Sequence, residues 1–149
     1  MIRLGTPADL PACSGVYRRA SLSNAGDRNN LLVHPEYLIL GPEALAEGRT
    51  YVAEEADGSV VGFATWAADA DGTIELEDLF VDPGWRRRGI ATALVSHVVD
   101  VLRARGVRCL EVTANPHAEG FYSAAGFVDC GVAETVFGPS PRKRLTIDR

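Results

Sequence analysis

The sequence predicts an α/β fold: a mixed sheet of about six to seven strands, with about four helices on its faces. Three observations carry that expectation. Short apolar strands recur around the turn dipeptides Asp57-Gly58 and Asp71-Gly72. After Gly89, residues Ile90, Leu94, Val98, Val101 and Leu102 repeat at helical spacing as one apolar stripe. That helix stands between two strands, and strands flanking a crossover helix call for a mixed sheet covered by helices.

Taken in order, Ile2 to Leu4 reads as a first strand, and Thr6-Pro7-Ala8-Asp9 as a helix start with proline in the first turn. Leu10, Cys13, Val16 and Tyr17 continue that helix. From Ser21 to Gly48 the pattern is irregular. Asn24, Gly26, Asp27, Asn29 and Asn30 read as loop, and Pro42 to Glu47 as a helical piece. Tyr51 to Glu55 and Val60 to Ala67 form a strand pair, followed by a strand from Ile74 to Val81. The long helix stops at Gly106, which suits the left-handed position after a helix end. A strand from Arg108 to Thr113 and a short helix from Ala118 to Ala125 follow. Two final strands, Val128 to Phe137 and Lys143 to Ile147, are expected around the loop Gly138-Pro139-Ser140-Pro141.

No repeat or linker divides the chain, so residues 1–149 read as a single domain, long enough for a core without metal or disulfide staples. With 46% apolar and 23% charged residues, neither disorder nor a membrane span is indicated, and Met1 to Thr6 lacks a signal peptide's apolar core. The three cysteines, Cys13, Cys109 and Cys130, are odd in number and lack metal-ligand spacing. They read as free thiols of a cytoplasmic protein, with Cys109 and Cys130 in strand cores. No His, Cys and carboxylate cluster has metal spacing, so no metal is expected. A net charge of −5 argues against nucleic acid as a partner. The basic residues are local: Arg86-Arg87-Arg88, and Arg142-Lys143-Arg144, which reads as the solvated flank of the last strand.

The most informative stretch runs from Val81 to Thr92. A strand breaks at Pro83, and three arginines lead through Gly89 into the long helix. The first turn of a helix carries N–H groups without intrahelical partners at the positive end of its dipole, a ready cradle for phosphate. Gly84 and Gly89 give the spacing of a P-loop, but Ile90-Ala91 stands where Lys-Ser/Thr must follow, which excludes a nucleotide triphosphatase. No G-x-G-x-x-G follows a strand, which argues against a dinucleotide fold. Two readings remain for the arginines alone, a solvated helix start or an anion site; the preceding strand favours the second.

Arg86-x-x-Gly89-x-Ala91 fits the Q/R-x-x-G-x-G/A signature of the GNAT superfamily of acyl-CoA-dependent N-acyltransferases. About thirty residues downstream, Asn115-Pro116-His117-Ala118-Glu119-Gly120-Phe121-Tyr122 and Gly126-Phe127 resemble that family's N-x-x-A-x-x-F-Y-x-x-x-G-F segment. The resemblance covers the second half of the chain well and the first half in pattern only. It implies a sheet splayed between the fourth and fifth strands, with acetyl-CoA (coenzyme A) as cosubstrate. It also implies that main-chain N–H groups of Arg87, Arg88, Gly89, Ile90, Ala91 and Thr92 hold the pyrophosphate, with Arg86 a further cofactor-binding residue. Leu79, Phe80 and Val81 would pair with the pantetheine arm, one N–H of Leu79 or Phe80 serving as oxyanion donor.

Tyr122 is then the expected acid for the departing thiolate, since a phenol with a pKa near ~10 stays protonated at neutral pH. Without the motif it would read as a core tyrosine beside Phe121. Asn115 is expected to anchor the cofactor or a water, to cap the next helix, or both. For the base, Glu77 comes first and Glu75 second, with Glu111 on the fifth strand as a position some relatives use. Alternation puts Glu75 and Glu77 on one face and Asp78 on the other. The same carboxylates would serve equally by attracting a cationic substrate. His117 reads as an exposed helix-start residue, and His34 and His97 have no evident partner. The expected reaction is direct attack of a primary amine on the acetyl thioester in a ternary complex. A noncatalytic acyl-CoA-binding module and a longer-chain N-acyltransferase remain as alternatives. The acceptor is not legible; Arg18 to Leu40 and the loop Gly138 to Pro141 are expected to shape its site. The family also admits a homodimer.

Overall fold

Seven strands in the computed structural model are hydrogen-bonded in the order β1-β2-β3-β4-β5-β7-β6. They are β1 (Ile2–Leu4), β2 (Thr50–Glu54), β3 (Val60–Ala68), β4 (Ile74–Val81), β5 (Cys109–Thr113), β6 (Val128–Thr135) and β7 (Gly138–Thr146). Among the described residues five α-helices accompany them: α1 (Leu10–Leu22), α2 (Ala25–Val33), α3 (Glu43–Ala46), α4 (Ile90–Ala104) and α5 (Glu119–Ala124). The structure describes residues 1–23, 25–115, 118–135 and 138–148. Among them, no helix is long and apolar enough to cross a membrane.

The chain forms two compact units. The first comprises Met1–Trp66 and Asp78–Val98. Here β1, β2 and β3 are antiparallel neighbours, with Leu4 opposite Tyr51 and Thr50 opposite Thr65. A short 3-10 turn, Pro7–Asp9, delivers the chain into α1. Cys13, Val16 and Ala20 then recur every three or four residues, so one stripe of α1 is buried. Cys13, Val16, Val52 and Phe63 are fully buried together, with Tyr17, Leu40, Val60 and Phe80 packed around them. Gly62 permits the close approach of α4: a Cβ there would stand 3.0 Å from the Phe80 carbonyl oxygen, 3.2 Å from Ile90 and 3.3 Å from Leu94.

The second unit comprises Ala67–Glu77 and Val99–Arg149. β5 runs antiparallel to β7, and β6 to β7. β4 and β5 are parallel, with a single register pair at Glu75 and Glu111. The end of α4 follows the expected form: Gly106 is left-handed at φ 78°, its N–H bonds Arg103, and the Val107 N–H reaches back to Leu102.

Four expectations need correction. The stretch expected as loop from Asn29 and its neighbours holds α2 and a 3-10 turn over Pro35–Leu38. Its polar, glycine-containing sequence has low helix propensity, and burial of Leu31 and Leu38 overrides it. Asn24 itself lies outside the described residues. Gly138 to Pro141 is the first half of β7, not a loop: Pro139 stands opposite Glu134 and Pro141 opposite Val132. Both prolines lack an N–H, but the Pro141 carbonyl still accepts the Ala114 N–H at 2.8 Å. Phe137, the expected end of the preceding strand, lies outside the described residues. Of Arg142-Lys143-Arg144 only Arg144 is exposed as expected; Lys143 is 2% exposed and Arg142 is half-buried. Cys130 is exposed and Cys109 intermediate, so only Cys13 is a core thiol.

Near the N-terminus, the Arg3 guanidinium grips Asp9 through two bonds of 2.9 Å, and the Asp9 carboxylate also accepts the Thr6 N–H at 2.8 Å. Those bonds, led by Arg3, bring the Asp9 carboxyl down to about 2. A depressed carboxyl contributes stability above its unfolded value near ~4 and loses it as pH falls through the folded value. Wild type is expected to lose stability between about pH 4 and pH 2, and Asp9→Asn to lack that component in urea melts across the same window.

Candidate active site

In the first unit the path from β4 to α4 is built from the residues after Val81. The Asp82 carboxylate accepts the Gly84 N–H at 3.4 Å and caps a 3-10 turn, Pro83–Trp85, whose proline suits that position. Its other oxygen is held by Arg19 of α1, at 2.7 and 3.0 Å. The chain then enters the left-handed region twice, at Arg87 (φ 63°) and Gly89 (φ 77°), before α4 begins. Glycine meets this at no steric expense; an arginine there is uncommon and held by its surroundings. No atom lies within 4 Å of where a Cβ of Gly89 would stand.

Successive turns of this kind aim backbone N–H groups into one concavity. The N–H groups of Ile90, Ala91 and Thr92, at the start of α4, precede the first intrahelical bond, from the Ala93 N–H to Gly89, and add to it. Arg86, Arg87 and Arg88 are all exposed. Arg86 bonds the Ser23 hydroxyl at 2.5 Å, and Arg88 lies over the Trp85 ring at 4.7 Å. The arrangement fits a phosphate or pyrophosphate: an open backbone surface, donors from a helix start, and arginine charge around the rim. Leu79, Val81, Ile90 and Ala91 are half-buried and Thr92 is exposed. Phe80 turns its ring into the core, edge-on to Tyr17 at 4.9 Å and tilted on Phe63 at 5.7 Å.

In the second unit, Tyr122 of α5 is 6% exposed and meets Phe121 and Phe127 edge-on at 5.2 and 5.3 Å. Burial pushes its phenol well above the usual tyrosine range, so it holds its proton at any physiological pH. The N-cap position of α5 belongs to Ala118 and not to Asn115; the Ala118 N–H donates to the Asn115 carbonyl at 2.8 Å. Pro116 and His117 lie outside the described residues.

Glu77 is exposed on β4, whereas Glu75 is ion-paired with Arg142. Arg142 also bonds Glu111 at 3.3 Å and the Thr113 hydroxyl at 2.9 Å, and Arg144 stands 3.9 Å from Glu111. Glu75 and Glu111 are thus both engaged by guanidinium groups, which occupy carboxylate lone pairs. The two histidines expected to stand alone have partners. His34 lies 3.1 Å from Glu36 and stacks on Tyr37, and His97 packs on Tyr51.

The model of the acetyltransferase (GNAT) family matches residues 20–127. The chain belongs to that family. Its relatives within the family include the streptothricin acetyltransferase of Streptomyces lavendulae, 38% identical over 62% of this chain and 51% of that protein. This chain therefore spans about half the length of that relative. An aminoglycoside N(6')-acetyltransferase of Stenotrophomonas maltophilia is 32% identical over 90% of this chain and 86% of its own length. Among solved structures, the yncA protein of Salmonella typhimurium, solved with its cofactor acetyl-CoA, superposes with a TM-score of 0.73. It is 24% identical, covering 100% of this chain and 94% of that one, and so speaks for the GNAT fold.

Several residues of this GNAT chain escaped sequence reasoning: Arg19 on Asp82, Arg86 on Ser23, Arg142 on Glu75 and Glu111, and Lys143. The available signal was the alternation of β7, which sends Arg142 and Arg144 to one face and Lys143 to the other. Those basic residues needed pairing with acids far away in sequence.

The left-handed geometry yields a test. Gly89→Ala is expected to lower the unfolding free energy by about 1–2 kcal/mol although the residue is exposed. Gly84→Ala, in the same turn but outside the left-handed region, should change it by less than about 0.5 kcal/mol, both read from denaturant melts.

Proposed function

We propose that this chain is an N-acetyltransferase that moves the acetyl group of acetyl-CoA to a primary amine by direct attack in a ternary complex. The observation that carries the reading is the Arg86 to Thr92 turn, whose open backbone and helix N-terminus suit a pyrophosphate, in a member of the GNAT family. Backbone N–H groups of Arg86 through Thr92 hold the pyrophosphate, and the backbone of Leu79 to Val81 lies along the pantetheine arm. Asn115 anchors the cofactor or a water. Acetyl-CoA supplies an activated thioester. The amine nitrogen bonds to its carbonyl carbon, the carbon–sulfur bond breaks, and Tyr122 protonates the departing sulfur. The ammonium first loses a proton to Glu77, directly or through water, which frees the nitrogen lone pair for that attack. Glu77 passes that proton to solvent and takes the second one as the amide forms, and the Tyr122 phenol is reprotonated from solvent.

The acceptor is a cationic amine. A net charge of −5 and the exposed Glu77 support that class, as do the relatives named for streptothricin and aminoglycosides. The free thiols Cys13, Cys109 and Cys130 suit a reducing cytoplasm.

Thiol release from acetyl-CoA across a panel of streptothricins, aminoglycosides and simple polyamines tests this. Tyr122→Phe should lower kcat roughly 100-fold on the best amine with little change in acetyl-CoA affinity. Wild-type kcat in that variant would remove Tyr122 as the acid. Binding of acetyl-CoA without turnover on any amine would favour a noncatalytic module. Because burial keeps the phenol protonated, kcat should show no alkaline loss up to about pH 10.

A further inference from the structure

A lysine is rarely buried without partners that satisfy its charge and its three N–H donors. Lys143, in the middle of β7, is 2% exposed. Its Nζ donates to Asp129 Oδ1 at 2.6 Å and to the Ser123 hydroxyl at 3.3 Å, and stands 3.7 Å from the Glu119 carboxylate. The ammonium thus hydrogen-bonds one oxygen from β6 and one from α5, and faces a second α5 oxygen at ion-pair distance. Asp129 sits directly opposite Lys143 in the ladder, where the register of β6 shifts toward a left-handed Gly131. The Asp129 carboxylate holds the amine above the usual lysine range, so all three protons stay in place.

The two α5 contacts fall at Glu119 and Ser123, four residues apart on one face and bracketing Tyr122. At six residues, α5 is too short to persist on its own, so its rotation is fixed by what it touches. Its C-terminal end is closed by the left-handed Gly126 and by the Phe127 N–H bonding back to Tyr122. At its N-terminal end the N-cap, Ala118, makes no side-chain capping bond, and its N–H donates to the Asn115 carbonyl at 2.8 Å. The Glu119 contact supplies a tether there.

We infer that Lys143 is a positioning residue for Tyr122, its ammonium tying Glu119 and Ser123 to the sheet so that α5 presents the phenol in one direction. The inference rests on the reading of Tyr122 as proton donor for its kinetic consequence, and on contacts alone for its structural one.

Tyrosine ring signals in the full-length protein test it directly by NMR with ring-labelled tyrosine. The chain has four tyrosines, and Tyr17, Tyr37 and Tyr51 belong to the other compact unit, where they serve as controls. Lys143→Met should displace or broaden the Tyr122 signal, assigned through Tyr122→Phe, and leave the other three in place. Ser123→Ala, which removes one tether and keeps the buried charge paired, should move the same signal alone. In thiol release with acetyl-CoA and the fastest amine of the panel, Lys143→Met should lower kcat about tenfold with KM for acetyl-CoA within about twofold. In a Tyr122→Phe background it should cause no further loss. An unmoved Tyr122 signal, or movement of all four, would overturn the tether, as would equal loss in both backgrounds. Wild-type kcat in Tyr122→Phe would instead sink the proton-donor reading, while the ring signals still judge the tether.

Discussion

The chain has to pass from the end of β4 at Val81 to the start of α4 at Ile90 while leaving the first N–H groups of that helix turned outward. It does so through the left-handed residues Arg87 and Gly89, and the rest of the first unit is arranged to hold that path. Asp82 caps the 3-10 turn at its entry and is itself held by Arg19. Arg86 reaches Ser23, so the end of α1 is tied to the turn at two points. Gly62 removes the side chain that would keep Ile90 and Leu94 from closing on β3. Such ties are individually weak at a surface, but together they leave the backbone little choice of conformation.

Charge in the second unit follows a different logic. Strand β7 alternates its basic residues between two faces, and each face supplies acids from other elements. Arg142 and Arg144 meet Glu75 and Glu111, while Lys143 meets Asp129 and Glu119. A buried or half-buried charge removed from its partner destabilises far more than the pair contributes, so the set acts as a register lock for β7 against its neighbours. On β4, Glu75 is committed to Arg142.

Much of this could be read in the sequence because it is local. The strand–turn–helix spelling from Val81 to Thr92, the Asp-Gly turns and the stop at Gly106 each depend on a few adjacent residues, and each stands in the structure where it was expected. Helix α2 was hidden because its residues are poor helix formers and are carried by tertiary burial of Leu31. The strand character of Gly138 to Pro141 was hidden by two prolines that the ladder nonetheless accommodates. The pairing of Arg142 and Lys143 was hidden because their partners lie 14 to 31 residues away, or farther still for Glu75. Around the candidate site, the motif spelling was legible in the sequence, whereas the ion pairs of Arg19, Arg142 and Lys143 were not.

The proposed role of the Arg86 to Thr92 turn is to hold the pyrophosphate of acetyl-CoA. The most direct measurement compares calorimetric titrations of the protein with acetyl-CoA and with S-acetyl-pantetheine, which shares the thioester arm but lacks the pyrophosphate. One acetyl-CoA per chain is expected, bound at least about 100-fold more tightly than the fragment, a difference of about 2.7 kcal/mol. Equal affinity for the two, or no binding of acetyl-CoA, would contradict it.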